Sequence, residues 1–171
     1  MSNFYETVKS DFKVNKNSKK SILIIVLFRI TNYLLLRSKH NIFFKILYVI
    51  MSIIYKIIVQ FIFNIEIPSK VKIGKGFQII HGQGIVINGD SEIGEFFTIK
   101  HNVTIGCKID FENNTCIKNT VIGNNCIISP GAVLIGVVLA NNIIVGANSV
   151  VTKDFLESNM IIAGNPARKI K

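Results

Sequence analysis

The sequence predicts a parallel β-helix that follows an α-helical region, and two patterns predict it. From residue 67 onward, aliphatic residues return every six positions, a period that neither an α-helix nor a single amphipathic strand produces. Before residue 64, long apolar runs carry polar residues three and four positions apart, as an α-helix does. We therefore expect a helical region in residues 1–64 and a β-helix in residues 65–171.

The composition indicates a folded chain with more apolar surface than a soluble monomer usually has. Apolar residues make up 49% of the 171 residues, and the net charge is +10. Residues 1–66 hold ten Lys and Arg against three Asp and Glu, while residues 67–171 hold ten against seven. A basic and apolar N-terminal part suits an anionic membrane surface. No helix-turn-helix, zinc-finger or RNA-binding pattern supports nucleic acid as the partner.

The helical region has a polar start and two long apolar helices. Residues 1–20 predict a short helix or a loose arm, without a cleavable signal pattern. The segments "SILIIVLFRITNYLLLRS" and "IFFKILYVIMSIIYKIIVQFIF" follow, and in the second Lys45, Tyr48, Ser52, Lys56 and Gln60 share one polar stripe. Three interpretations of this hairpin stay open: packing on its own domain and sister subunits, partial immersion in a membrane interface, or a membrane span. The two lysines disfavour the span.

The period of six predicts short strands in successive coils, with inward-pointing anchor residues and with Gly or Asn at the corners. The anchors are Ile67, Ile73, Ile79, Ile87, Ile93, Ile99, Ile105, Ile122, Ile128, Leu134, Leu139, Val145 and Val151. The rhythm breaks beside His81, between residues 105 and 122, and at "LIGVVLANN". The second break predicts either a loop pushed out of the coil or one irregular coil. The first two breaks are candidate functional positions, because a regular coil loses its register where a loop leaves it.

The cysteines and one phenylalanine pair have simple interpretations. The chain has three cysteines, Cys107, Cys116 and Cys126, and no two of them form a C-x-x-C pair. This odd number and this spacing support neither a disulfide framework nor a zinc site. A reducing cytosol is the simplest setting, and packing or loop positions are favoured over nucleophilic ones. In "EFF", we expect one of Phe96 and Phe97 to point inward and the other outward.

The repeat units resemble those of the hexapeptide-repeat acyltransferases. The most specific stretches are "IEIPSKVKIGKGFQIIHGQGIVI", "TVIGNNCIISPGAVLIG", "VGANSVVTKDF" and "AGNPARKI". The resemblance is nearest to the serine O-acetyltransferase branch, and within it to the bacterial enzymes that acetylate sugars during capsule and exopolysaccharide synthesis. It implies a left-handed β-helix, a homotrimer and acetyl-CoA as the acetyl donor.

The resemblance also implies that His81 is the catalytic base. The branch has its histidine in an H-x-T-G-[IV]-V context, with an orienting acid fifteen positions earlier. Here "HGQGIV" begins at His81, Glu66 stands fifteen positions before it, and Gln83 replaces the Thr. A neutral imidazole can take the proton of an attacking hydroxyl and return it to the leaving thiolate, so no acyl-enzyme is needed. Glu66 would fix the imidazole tautomer.

Two departures from the branch favour a sugar over free serine as the acceptor. The serine enzymes have an acidic residue before the catalytic histidine, where this chain has Ile80, and an Arg-His pair where it has Lys118 and Asn119. Both departures remove groups that would recognise a zwitterion. His101, Asn119 and Gln83 are candidate acceptor contacts, although His101 could equally be an ordinary turn histidine.

Acetyl-CoA, by the same resemblance, lies in a groove between two β-helices. The candidate CoA-binding positions are Gly106, Cys107, Pro130, Ala147, Lys153 and Arg168, of which the last two could also be an ordinary basic surface. No metal is expected: a γ-class carbonic anhydrase needs three histidine ligands, and the repeat region holds two.

The sequence thus predicts an acetyl-CoA-dependent O-acetyltransferase that modifies a sugar hydroxyl of a cell-surface polysaccharide or its precursor. We expect it in the cytoplasm, at the inner face of the cytoplasmic membrane. Two alternatives stay open: a serine O-acetyltransferase of cysteine synthesis, and a non-catalytic trimeric scaffold that docks on membranes. His40, between the two long helices, is assigned no chemistry and is expected to be structural or exposed.

Overall fold

The computed structural model describes residues 4–39 and 41–171. His40 lies outside the described residues, and so do the first three residues of the predicted N-terminal helix or arm. The helices are α1 (Phe4–Asn15), α2 (Lys19–Ser38) and α3 (Ile42–Tyr55), and α3 continues directly into a π-helix (Lys56–Ile62). Ser18 and Asn41 cap α2 and α3, because their side chains accept hydrogen bonds from first-turn amides.

Three parallel sheets form the faces of the β-helix. Face 1 contains β1 (Ile65–Glu66), β4 (Ile85–Ile87), β7 (Thr104–Gly106), β12 (Val133–Ile135) and β15 (Val150–Val151). Face 2 contains β2 (Lys72–Ile73), β5 (Glu92–Ile93), β10 (Val121–Ile122) and β13 (Val138–Leu139). Face 3 contains β3 (Gln78–Ile80), β6 (Thr98–Lys100), β11 (Ile127–Ile128), β14 (Ile144–Val145) and β16 (Ile161–Gly164), and β17 (Ala167–Lys169) closes it antiparallel to β16.

The core of the β-helix is a set of stacked aliphatic ladders. On face 3, Ile79 pairs with Ile99, Ile99 with Ile128, and Ile128 with Val145. All thirteen anchors predicted from the period are buried, and the most exposed of them, Ile73, is 8% exposed. The prediction of a parallel β-helix after a helical region is confirmed, because apolar burial along the coil axis explains the period of six.

The break between residues 105 and 122 is a loop that leaves the coil. Residues in it form an antiparallel hairpin of β8 (Lys108–Asp110) and β9 (Thr115–Lys118), which decides between the two predicted alternatives. Lys118 Nζ lies 2.6 and 2.7 Å from the two carboxylate oxygens of Asp154, and the Val138 amide donates to the same carboxylate. The Lys118 hydrogen bond is the main cause that lowers the pKa of Asp154. This pair ties the base of the hairpin to a later coil.

A buried ion pair attaches α1 and α2 to the β-helix. Arg29 Nε lies 2.8 Å from Asp11 Oδ2, and the Arg29 guanidinium also donates to the carbonyls of Ile73 and Gly74, each at 2.6 Å. The other Asp11 oxygen accepts the amide of Phe77 at 2.9 Å. Desolvation raises the pKa of Asp11 in spite of the attraction of Arg29. The pair is therefore costly to bury, and each partner depends on the other.

Two helices of the described chain have the length and composition of membrane spans: Lys19–Ser38 and Ile42–Ile62. They differ in what covers them, since 44% of the first apolar window is buried in the protein and only 11% of the second. Helix α2 packs Ile24 and Phe28 into the core of the fold. Helix α3 packs on α2 and the π-helix packs on β1, and both leave an apolar side outside.

Candidate active site

The backbone of His81 takes a conformation that the described chain gives mostly to asparagine and glycine. Its φ angle is +54°, in the left-handed region. Among the described residues, the other non-glycine positions with positive φ are Phe96 and the asparagines Asn64, Asn102, Asn114, Asn125, Asn142, Asn148 and Asn159. Asparagine tolerates this conformation best among non-glycine residues. Histidine also tolerates this region, so His81 becomes a candidate only together with the surroundings of its side chain.

The predicted two-residue insertion beside His81 widens one corner of the coil, between faces 3 and 1. Ile80 pairs with Lys100, and Val86 pairs with Thr104. Five residues lie between Ile80 and Val86, but only three lie between Lys100 and Thr104 in the next coil. Within the insertion, a Cβ on Gly82 would lie 2.9 Å from the Ile79 side chain, so this position accepts only glycine. The buried glycine anchors the widened corner and leaves His81 exposed on its outside.

The His81 side chain lies in a surface depression of about 590 Å³ between the corner and the link from α1 to α2. Asn17, Ser18, Lys20 and Gln83 also line this depression. Sequence reasoning missed the first three, because their approach to the coil depends on how the helices dock. The signal that could have found them is the polar run "NKNS" between two helical segments.

His101 stacks next to His81, as the sequence predicted once the insertion is discounted. The two ring centres are 5.9 Å apart, and the rings meet edge to face. His101 Nδ1 is buried and has no hydrogen-bond partner among the described residues. Contact between His101 and an acceptor stays a prediction.

Buried polar side chains from the helices fix the strand that leads into His81. The Asn15 side chain donates to the carbonyl of Phe77 and accepts the amide of Ile79. Ser21 Oγ donates to the Ile79 carbonyl at 2.8 Å. The histidine therefore projects from a strand whose backbone is held on its helix side, which favours a well-defined imidazole position.

Glu66 lies apart from the histidine in this chain. It is exposed on β1 and lines a different depression, together with Tyr48, Ser52 and Lys56. In the described part of the chain it shares no hydrogen bond or ion pair with His81. Its role in orienting the imidazole stays a prediction.

Some of the predicted CoA-binding positions follow His81 along one edge of the β-helix. By the register of face 3, His101, Pro130 and Ala147 occupy the same corner in successive coils. Backbone hydrogen bonds connect these coils, since the Gly131 amide donates to the His101 carbonyl and the Asn148 amide to the Pro130 carbonyl. A long ligand that follows this edge would reach the imidazole of His81.

The remaining predicted CoA positions lie elsewhere. Gly106, Cys107 and Lys153 are at the corner between faces 1 and 2, beside the base of the hairpin. The Lys153 amine is 5.4 Å from the centre of the Phe155 ring. Arg168 is exposed on β17, the final strand of face 3. A single chain therefore divides the predicted residues between different edges.

The residues that replace the serine-recognition groups are either apolar, as Ile80 is, or already bonded to other side chains, as Lys118 and Asn119 are. Ile80, half-buried on β3, precedes His81. Lys118 is engaged by Asp154, and the Asn119 side-chain oxygen accepts a 3.1 Å hydrogen bond from the Cys116 thiol. Across residues 4–39 and 41–171, no three His, Cys, Asp or Glu side chains gather as a metal site.

The chain is similar over most of its length to a bacterial acetyltransferase. It is 31% identical over 126 residues to WcaB of Escherichia coli, an acetyltransferase assigned to colanic acid biosynthesis, which covers 74% of this chain and 75% of WcaB. The chain belongs to the hexapeptide-repeat acetyltransferase family. The protein is accordingly an acyltransferase, and its family uses acetyl-CoA.

Serine acetyltransferases are relatives of this acetyltransferase as well. The enzyme of Helicobacter pylori is 39% identical over 77 residues, 45% of this chain and 43% of that enzyme. The structure of the Neisseria gonorrhoeae enzyme in complex with serine has a TM-score of 0.78 at 21% identity, over 98% of this chain and 69% of that one. A serine acetyltransferase in complex with CoA has a TM-score of 0.76 at 23% identity, over 98% and 69% of the two chains. These structures share the fold. No protein-family model matches the chain.

Cys107 and Cys126 of this acetyltransferase are poor nucleophiles at neutral pH. Desolvation, with the neighbouring Cys116 thiol, raises the pKa of Cys107 to about 11, and burial raises the pKa of Cys126. At pH 7 the thiolate, which is the reactive form, is then a minor species of Cys107.

We expect iodoacetamide at pH 7 to alkylate the exposed Cys116 well before Cys107 or Cys126, as followed by peptide mass spectrometry. Cys107 alkylation should accelerate only as the pH rises toward 11, because the thiolate fraction grows with pH. Preferential alkylation of Cys107 at pH 7 would place a reactive thiolate near the predicted CoA positions and reopen a covalent mechanism.

Proposed function

We propose that the protein transfers the acetyl group of acetyl-CoA to a hydroxyl of a sugar in a cell-surface polysaccharide or its precursor. The observation that carries the proposal is His81. It occupies a corner that favours asparagine, it lies in an open depression, and the edge that leads to it carries the predicted CoA positions Pro130 and Ala147.

In this mechanism, the neutral imidazole of His81 accepts the hydroxyl proton while the acceptor oxygen attacks the thioester carbonyl. The carbon–sulfur bond of the tetrahedral intermediate then breaks, and the imidazolium returns the proton to the CoA sulfur. No side chain becomes acylated, which agrees with the raised pKa values of Cys107 and Cys126. Glu66 would stabilise the imidazolium if a movement or a second copy brought it within reach of His81.

Three observations support a sugar acceptor. WcaB is the relative with the longer alignment, and its name assigns it to synthesis of a polysaccharide. Ile80 offers no charge to the amino group of serine beside His81. The Lys118 amine is already neutralised by Asp154 and is poorly placed to bind the carboxylate of serine. Gln83 and Asn119 remain candidates to hydrogen-bond sugar hydroxyls.

We further propose that the active site forms between copies of the chain in a homotrimer. The predicted residues divide between the edge of His81 and the edge of Gly106 and Lys153, so a groove between two β-helices could unite one edge from each. Acetyl-CoA would lie in that groove, with Lys153 and Arg168 as candidate contacts of its phosphates.

The proposal is tested by supplying acetyl-CoA with candidate capsule and exopolysaccharide glycans and measuring free CoA with a thiol reagent. We expect release above the hydrolysis background with at least one glycan, and an acetylated sugar by mass spectrometry. An acetylated product with unchanged thiol release, or activity on glycans after removal of acetyl-CoA, would exclude acetyl-CoA as the donor.

Serine O-acetylation is the second candidate, because serine acetyltransferases match the chain in sequence and in fold. We expect no measurable turnover of L-serine at millimolar concentration, since Ile80 offers no charge to the amino group of serine and Lys118 is engaged by Asp154. Turnover of L-serine at rates above those with every glycan would assign the protein to that reaction.

A further inference from the structure

We propose that α3 and the π-helix dock their exposed apolar side on an anionic lipid bilayer. The docking face is defined by Phe43, Ile46, Ile50, Ile53, Ile57 and Phe61, each of them at least half exposed. At 100° per residue, the first four fall within about 80° of the helix circumference. No described segment of the chain covers them, and an apolar face of this length is unusual on a soluble surface.

The opposite side of the same helix is fixed to the protein. Tyr55 Oη donates to the carbonyl of Ile67 at 2.6 Å, and Tyr48 Oη lies 3.3 Å from Ser69 Oγ. Burial raises the pKa of the Tyr55 hydroxyl, which keeps it a donor. A helix that crosses the bilayer would have to break both contacts. The structure therefore favours a helix that lies flat, with its inner side on the β-helix and its outer side in the membrane interface.

The lysines of the helical region distinguish lipid from other occupants. Among the described residues, no lysine on α1, α2, α3 or the π-helix forms an ion pair with a carboxylate. The lysines of the β-helix often do, in the pairs Lys70–Asp90, Lys72–Glu92, Lys75–Glu95, Lys118–Asp154 and Lys169–Glu157. Five of the nine lysines in residues 65–171 are thus paired with a carboxylate, whereas the described lysines of the helices are left unneutralised.

The position of those charges favours anionic headgroups over a second copy of the chain. Lys45 and Lys56 are exposed on α3 and at the start of the π-helix, on the same border of the docking face. Long lysine side chains at such a border extend to phosphate headgroups while the apolar side chains enter the acyl region. Two copies packed through this face would instead bring lysines near lysines.

The end of the π-helix lies beside the His81 depression. Lys20 lines that depression, and its amine lies 4.9 Å from the ring centre of Phe63, the residue that follows the π-helix. A protein docked in this way would hold the depression close to the headgroups. If the proposed function holds, the acceptor sugar is therefore carried by a membrane lipid, whereas the docking itself does not depend on that function.

The test is flotation of the full-length protein with two kinds of vesicle, phosphatidylcholine alone and phosphatidylcholine with phosphatidylglycerol in a two-to-one ratio. We expect at least about tenfold more protein to float with the anionic vesicles, and less as salt is added. The double variant Ile50→Asp/Ile53→Asp and the charge variant Lys45→Glu/Lys56→Glu should each lose this binding. Leu156→Asp, an exposed apolar position on the far coil, is the matched control and should bind as the parent does.

Sedimentation equilibrium without lipid separates the alternatives. We expect the parent and the Ile50→Asp/Ile53→Asp variant to have the same mass, with equal thermal unfolding. A lower mass for the variant, together with a parent that floats with neither vesicle, would assign the face to a second copy and overturn the proposal. Because no activity is measured, failure of docking leaves the proposed function untouched, and the reverse also holds.

Discussion

Replacing His81 with asparagine lowers kcat for acetyl transfer by about 10²- to 10⁴-fold, the range that a general base contributes. Asparagine stands at seven other positions of positive φ in the described chain, so the backbone at φ +54° accepts it without strain. The substitution removes the imidazole and keeps the backbone conformation of the corner. We expect the KM for acetyl-CoA to change little, because the proposed role is in proton transfer rather than in binding.

The matched control for this variant is Phe96→Asn. Apart from His81 and the asparagines, Phe96 is the one described non-glycine residue with a positive φ. It lies at a different corner, between β5 and β6. It should retain the parent activity and the parent unfolding temperature. If His81→Asn kept kcat within about threefold of the parent while Phe96→Asn behaved as expected, His81 would not be the base.

Replacing Arg29 with alanine lowers the free energy of unfolding by about 3–5 kcal/mol, the usual cost of removing one partner of a buried ion pair. The Asp11 carboxylate would stay buried without its cation, and the carbonyls of Ile73 and Gly74 would each lose a donor. Chemical denaturation measures the loss. We expect it to be accompanied by release of α1 from the first coils, because Asp11 also holds the amide of Phe77.

Arg37→Ala is the control on the same helix. Arg37 is exposed and its contacts are to the rings of Tyr33 and Phe44, so its removal should cost less than about 1 kcal/mol. Equal effects of the two arginine substitutions would show that the buried pair contributes nothing particular to the attachment of the helices.

The coil was predictable because its determinant is local and repeated. Most anchors are aliphatic residues six positions from the next, and stacking buries all of them, so the period identifies the inward residues of ladders such as Ile79, Ile99 and Ile128. The widened corner at His81 followed from the same count, since two extra residues cannot be absorbed by a regular coil.

Other features depend on contacts between residues far apart in sequence, and counting positions along the chain could not predict them. The sequence allowed either a loop or an irregular coil between residues 105 and 122, and the hairpin is fixed by Lys118 and Asp154, 36 positions apart. The Asp11 bond to the Phe77 amide joins residues 66 positions apart. A single arginine within the apolar run of α2 was the available signal, but it does not reveal the partner. The wall that Asn17, Ser18 and Lys20 add to the depression follows from that same docking.

The most direct test of the central claim, that His81 catalyses transfer from acetyl-CoA at the widened corner, is a crystal structure of the protein with CoA. We predict that the CoA sulfur lies within hydrogen-bonding distance of the His81 imidazole and that the pantetheine chain follows the edge past Pro130 and Ala147. CoA bound along another edge, with its sulfur out of reach of His81, would contradict the account.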